Sequence, residues 1–117
     1  MTISDQELEI LAHSLGDALL NSGARVTWAE SCTGGWVSKV LTDVPGSSAW
    51  FGWGFVTYSN AAKQGVLNLS EDILSKHGAV SESAVVSMAK KALDKAGAEF
   101  SVAVSGVAGP DGGTEDK

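Results

Sequence analysis

In the first fifth of the chain, apolar residues fall at Leu8, Leu11, Ala12, Leu15, Ala18 and Leu19, the spacing of one face of a helix. Ser4 stands where an N-cap is wanted, with Glu7 three residues on as the second half of a capping box. Gly23 occupies the position that favours a left-handed C-terminal residue. Arg25 to Glu30 then reads as a strand, and Thr33 to Thr42 as a short helix carrying Trp36, Val37, Val40 and Leu41. After a Pro-Gly turn at Val44 to Ser48, the period changes to two. Phe51, Trp53 and Phe55 alternate with Gly52 and Gly54, which predicts a strand with one bulky face and one nearly bare face. A bare face invites close approach by another backbone or by a ligand.

Ser59-Asn60 caps a helical turn through Ala61, Ala62, Lys63 and Gly65. Ser70 caps a second short helix ending at Gly78, with Ile73 and Leu74 inward. A longer helix opens at Ser81-Glu82 and keeps Val85, Met88, Ala89, Ala92, Leu93 and Ala96 on one face up to Gly97. Phe100 to Ser105 is a third strand, followed by a glycine-rich loop from Gly106 to Lys117. No repeat, linker or low-complexity tract interrupts this order, so residues 1–117 read as a single domain. Strands separated by helices predict an α/β layered fold with at least two parallel neighbours. Ligands in such sheets bind beyond the carboxyl ends of the strands. Those ends are Glu30-Ser31, Tyr58-Ser59 and Ser105-Gly106, all rich in hydroxyls.

Bulk properties narrow the partners. A net charge of −6 over 117 residues argues against nucleic acid, whose phosphates call for clustered Lys and Arg. No apolar run approaches the roughly 20 residues of a membrane span, and the N-terminus lacks the basic and apolar regions of a signal peptide. With one cysteine, an internal disulfide is ruled out and a reducing compartment suits the chain. A cytoplasmic protein is expected. His13 and His77 stand far apart and fit a helix surface and a helix C-terminus, so neither a metal site nor a cofactor is expected.

Ser31 is the candidate nucleophile, because a strand-to-helix turn exposes a hydroxyl beside N–H groups that can stabilise an oxyanion. The layout is that of a nucleophile elbow without its G-x-S-x-G motif, and the plainer reading is that Ser31 and Thr33 cap the helix. Cys32 is the rival nucleophile, its thiol pKa open to depression by a helix N-terminus; a small residue packed at a crowded turn is its plainer reading. Without a well-placed histidine, the base for Ser31 is Lys63, which serves only if burial or positive neighbours lower its pKa. Its plainer reading is a solvated surface lysine. Tyr58 is placed to relay the proton or orient the pair. The loop after the third strand can cradle a phosphate with its N–H groups, although no Gly-Lys-Ser/Thr follows as in a P-loop. Asp111 either binds a polar substrate group or sets the turn.

Several ordered blocks resemble one family. Ala29 to Gly35 (AESCTGG), Pro45 to Phe51 (PGSSAWF), Val56 to Lys63 (VTYSNAAK), His77 to Glu82 (HGAVSE) and Ser105 to Gly113 (SGVAGPDGG) are together similar to the CinA C-terminal domain, in its nicotinamide-nucleotide amidase branch. The resemblance implies a three-layer α/β/α sandwich with a mainly parallel sheet, C-terminally shortened here, since family domains continue for some tens of residues past this loop. It implies hydrolysis of the carboxamide of nicotinamide mononucleotide by a metal-free Ser/Lys mechanism, in pyridine-nucleotide recycling, and a homo-oligomer. Ser31, Lys63 and Tyr58 fall on its catalytic positions. Its substrate contacts fall on Glu30, Cys32, Thr33, Gly34, Ser105, Gly106, Gly109, Asp111, Gly112 and Gly113. Two other readings compete with the amidase: a catalytically incomplete paralogue acting as a nucleotide-binding or assembly module, and a DNA factor, against which the acidic charge speaks.

Overall fold

The computed structural model describes residues 2–107. Helix α1 (Asp5–Ser22) leads into strand β1 (Val26–Glu30), then α2 (Trp36–Thr42), a 3-10 turn at Ser47–Ala49 and β2 (Phe51–Val56). Helices α3 (Asn60–Leu67), α4 (Glu71–His77) and α5 (Glu82–Ala96) precede β3 (Phe100–Val104). The sheet has the order β2-β1-β3, with both pairings parallel. All three strands therefore end on the same side of the sheet, with Glu30 opposite Val56 and Val104.

The serine caps act as expected, although among the described residues Ser4 N–H makes no bond to the Glu7 side chain and the capping box is only half formed. The hydroxyls of Ser4, Ser59, Ser70 and Ser81 accept from the N–H groups of Glu7, Ala62, Ile73 and Ala84 respectively. Gly23 and Gly97 close α1 and α5 in the left-handed conformation. The second helix departs from expectation by starting at Trp36 instead of Thr33. Gly34 and Gly35 have φ of 61° and 98°, so the backbone is left-handed there and the helix cannot begin earlier.

Two cores cover the two faces of the sheet. On one side Ala12 and Leu19 of α1 and Leu41 of α2 bury Val26, Trp50 and Phe51. On the other, Leu67, Leu69, Leu74, Ala84, Met88 and Ala92 bury Ala29 and Phe55. This is a three-layer α/β/α arrangement, built from the amphipathic faces read in α1 and α5.

The aromatic strand differs from the simple alternation predicted for it. Between Val26 and Trp28 of β1 the register advances by two residues, while on β2 it advances by three, from Phe51 to Gly54. The extra residue is a β-bulge, and the Thr27 hydroxyl donates to the Trp53 carbonyl there at 2.7 Å. Phe51 consequently joins one core and Phe55 the other, and Trp53, left exposed, stacks on Phe55 with ring centroids 5.8 Å apart. The bare glycine positions are filled by the protein itself. A Cβ on Gly52 would sit 2.7 Å from the Arg25 guanidinium, and one on Gly54 would sit 2.7 Å from Ser38 Oγ.

Gly16 on α1 is set against Trp50 in the same way. A Cβ there would lie 2.8 Å from the indole ring, which is almost completely buried and has nowhere to retreat. Gly16→Ala is expected to destabilise the fold by about 1–2 kcal/mol, overpacking outweighing the roughly 1 kcal/mol gained in helix propensity. Urea denaturation measures this, and an unchanged or raised midpoint would contradict the packing argument.

Candidate active site

The backbone ladder continues one step beyond the strands. Ser31 N–H donates to the Val104 carbonyl at 3.0 Å, and Thr57 N–H to the Glu30 carbonyl at 2.9 Å. This fixes the first residue after β1 and the first after β2 side by side. Ser59 then caps α3, and one turn into that helix Lys63 points back at the strand ends. Its Nζ lies 2.9 Å from Ser31 Oγ, 2.9 Å from the Thr57 carbonyl and 3.0 Å from the Tyr58 carbonyl.

Lys63 is 1% exposed. Burial holds its ammonium pKa below the ordinary lysine value, with the neighbouring Cys32 charge opposing that shift. A buried amine with a depressed pKa and a serine oxygen within hydrogen-bond reach is the arrangement a Ser/Lys pair requires. The solvated surface lysine is thus excluded. Two of the three contacts come from main-chain carbonyls, so the amine is held in place whatever its charge.

Tyr58 enters the site through its main chain. Its carbonyl also accepts a longer bond from Ser31 Oγ, at 3.4 Å, whereas its side chain is 68% exposed and makes no hydrogen bond among the described residues. A relay through the phenol is not what this geometry provides. The chain turns at Tyr58 to present Ser59 as a cap, which leaves Tyr58 exposed.

Glu30 was expected among the substrate contacts, but its carboxylate is 0% exposed and occupied by protein donors. Oε1 accepts from Thr33 Oγ1 at 2.7 Å and from Val37 N–H at 2.9 Å. Oε2 accepts from Ser38 N–H at 2.8 Å and from Ser38 Oγ at 2.5 Å. Burial alone would raise its pKa; the bonds from the Ser38 and Thr33 hydroxyls and the two N–H groups outweigh that and leave it lowered. Thr33 is likewise taken up by Glu30. The N–H groups at the start of α2 are not free for an oxyanion either: Trp36 donates to the Thr33 carbonyl, and Val37 and Ser38 donate to Glu30. In the turn itself Gly34 N–H donates to the Ser31 carbonyl. The N–H groups of Cys32, Thr33 and Gly35 have no protein acceptor among the described residues.

At the third strand end, the Ser105 hydroxyl donates to the Ala79 carbonyl at 2.9 Å, tying β3 to the segment before α5. Gly106 lies against the half-buried Cys32, where a Cβ would sit 3.5 Å from the sulfur. Gly109, Asp111, Gly112 and Gly113 lie outside the described residues. Two participants had no signal in the sequence reading: Thr57, which acts through its carbonyl, and Ser38, which enters the first turn of α2 only because that helix starts at Trp36. The Thr57 hydroxyl is also buried, without a hydrogen-bond partner among the described residues. A groove of about 410 Å³ between α1 and α2, lined in part by Leu8, His13, Trp36 and Lys39, shares no residue with this site.

A parallel α/β sheet with a Ser/Lys pair at its strand ends defines the class, and the comparisons supply the family. Residues 8–117 match the family described as CinA C-terminal domain, and the chain belongs to that family. It is 57% identical over 115 residues to the nicotinamide-nucleotide amidohydrolase PncC of Escherichia coli K12, spanning 98% of this chain and 70% of that protein. It is 53% identical over 107 residues to the PncC of Pseudomonas putida, spanning 92% of this chain and 67% of that one. Among solved structures, the competence damage-inducible protein A from Klebsiella pneumoniae superposes with a TM-score of 0.88 at 42% identity, over 91% of this chain and 66% of its own. A CinA superfamily protein from Escherichia coli gives 0.89 at 36% identity, over 97% and 66%. The chain thus spans about two thirds of the length of these structures.

The Glu30 carboxylate has a measurable signature. Its folded pKa lies below 4.5, so its contribution is complete above that value and is lost as pH falls through the lower folded value. Glu30→Gln is expected to reduce stability at pH 7 by about 2 kcal/mol, the scale of hydrogen bonds to a charged group. The gap to the wild type should close on acidification. Denaturant titrations at pH 7 and pH 3 check this; a gap independent of pH would contradict an ionised Glu30.

Proposed function

We propose that this chain is an amidohydrolase acting on nicotinamide mononucleotide, releasing ammonia and nicotinate mononucleotide. The observation that carries this reading is the 2.9 Å contact between the buried Lys63 Nζ and Ser31 Oγ, in a chain 57% identical to proteins named for that activity. Neutral Lys63 takes the Ser31 proton as Oγ attacks the carboxamide carbon. The N–H groups of Cys32, Thr33 and Gly35 are the donors at hand for the oxyanion. Collapse of the tetrahedral intermediate breaks the C–N bond while the Lys63 ammonium protonates the departing nitrogen, which leaves as ammonia. The resulting Ser31 ester is attacked by water, whose proton passes to Lys63. Lys63 then returns that proton to Ser31 Oγ as the acid is released.

Tyr58 belongs to this scheme through its carbonyl, which with that of Thr57 keeps Nζ aimed at Ser31. The phosphate of the substrate is assigned to the loop that includes Gly109, Asp111, Gly112 and Gly113. We extend the proposal to a cytoplasmic homo-oligomer. It is supported by the apolar Phe100 and Val102 exposed on β3, and among the described residues no helix is long and apolar enough to cross a membrane.

Ammonia release from nicotinamide mononucleotide is expected to fall by at least about 1,000-fold in Ser31→Ala and in Lys63→Ala, since members of a nucleophile–base unit fail together. Normal turnover by Ser31→Ala would remove the assignment. Binding of the nucleotide without ammonia release by the wild type would instead favour the non-catalytic module. Because Lys63 must be neutral to act, kcat/KM is expected to rise with pH through a midpoint below 10.5, the ordinary lysine value. A pH profile from 6 to 10 measures it, and a rate independent of pH would argue for another base.

A further inference from the structure

Glu30 stands immediately before the nucleophile, fully buried, and among the described residues no cation pairs with it. An ionised carboxylate offers about four acceptor sites, and all four are used by Thr33 Oγ1, Val37 N–H, Ser38 N–H and Ser38 Oγ. Two of these donors are N–H groups of the first turn of α2, which a helix leaves without internal partners. The residue that should cap them is Gly35, which has no side chain to do so. Glu30 is therefore the cap of α2, supplied from the end of the preceding strand. The turn from Ser31 to Gly35 is closed at its base by this one side chain.

From this geometry we infer that Glu30 is the positioning residue for Ser31: by clamping Thr33 and the first turn of α2 to the end of β1, it fixes the Ser31–Gly35 turn. In that shape Ser31 Oγ meets Lys63 while the N–H groups of Cys32, Thr33 and Gly35 keep no acceptor among the described residues. The inference rests on the reading of Ser31 as nucleophile. Without the clamp, the Val37 and Ser38 N–H groups and the Thr33 hydroxyl lose their acceptors next to the turn, and the buried start of α2 must shift to satisfy them. The clamp also depends on β2, because Ser38 Oγ reaches Glu30 through space that a side chain on Gly54 would fill. A glutamine can accept at one atom, but its amide group would face the two Ser38 donors.

The test combines turnover with a measure of Ser31 reactivity. For Glu30→Gln, with folding checked by circular dichroism, kcat for ammonia release is expected to fall about 100-fold, the loss seen when an oxyanion donor is misplaced. KM should stay within roughly threefold, since substrate contacts are untouched. Ser38→Ala, which keeps the charge and removes one donor, should lose roughly tenfold in kcat. Phosphonylation of Ser31 by a fluorophosphonate, followed by intact mass, should slow in the same order. A folded Glu30→Gln with wild-type kcat and labelling rate would overturn the inference, as would a rise in KM alone, which would make Glu30 a substrate contact. If Glu30→Gln does not fold, Ser38→Ala and Thr33→Val decide, and wild-type labelling in both overturns the clamp. If the wild type labels at Ser31 but releases no ammonia, the amidase reading fails while the labelling order still tests Glu30. A wild type that does not label removes the nucleophile and the inference with it.

Discussion

Everything at this site depends on a lysine that has been taken out of water. Removing an ammonium from solvent costs several kcal/mol unless its donors are met, and Lys63 is met by one hydroxyl and two carbonyls. Those carbonyls belong to Thr57 and Tyr58, the first residues after β2, and the hydroxyl to the first residue after β1. The lysine can be buried there because the parallel register ends these strands side by side. Supplying it from α3 requires a helix that starts at once, which the Ser59 cap provides. Sheet register, cap and amine thus form one dependency, and the depressed pKa follows from it.

A second buried charge sits close by with the opposite solution. Glu30 has no cation to pair with among the described residues and is stabilised by four donors instead. Low dielectric strengthens such bonds and makes each unpaired donor costly, so the carboxylate and the start of α2 hold each other in place. In the mechanism proposed here the two buried groups divide the work: Lys63, once neutral, takes the Ser31 proton, and Glu30 holds the turn that carries the serine.

The sequence was most legible where a local rule is strong. Serine caps at Ser4, Ser59, Ser70 and Ser81, glycine stops at Gly23 and Gly97, and the apolar faces of α1 and α5 could be read directly, because capping and periodicity depend on near neighbours. Parallel pairing followed from the alternation of strands and helices, and with it the meeting of three strand ends. Ser31 and Lys63 could be proposed as partners for that reason, although burial of Lys63 was not visible in composition. What could not be read was the use of backbone atoms and of distant space. Thr57 and Tyr58 act through carbonyls, which every residue has. Glu30 looked like one more polar residue at a strand end, and its four donors depend on Gly35 lacking a cap and on Gly54 lacking a side chain. The start of α2 was placed too early because Thr33 has a capping residue's chemistry, whereas the left-handed Gly34 and Gly35 decide the matter.

The bulge in β2 does more than rearrange aromatic rings. Along a strand, carbonyls as well as side chains alternate in direction, so one added residue reverses the sense of everything downstream of it. Phe55 changes core relative to Phe51, and the shifted register runs on to Thr57, whose N–H donates to the Glu30 carbonyl. The bulge therefore acts as a phase shifter between two parts of the molecule: the beginning of β2 turns Phe51 into the core that α1 covers, and its end turns Phe55 into the core that α5 covers. A β2 of regular pleat would turn both rings to the same face. The Thr27 hydroxyl occupies the Trp53 carbonyl at the fault, where the two halves of the strand fall out of step.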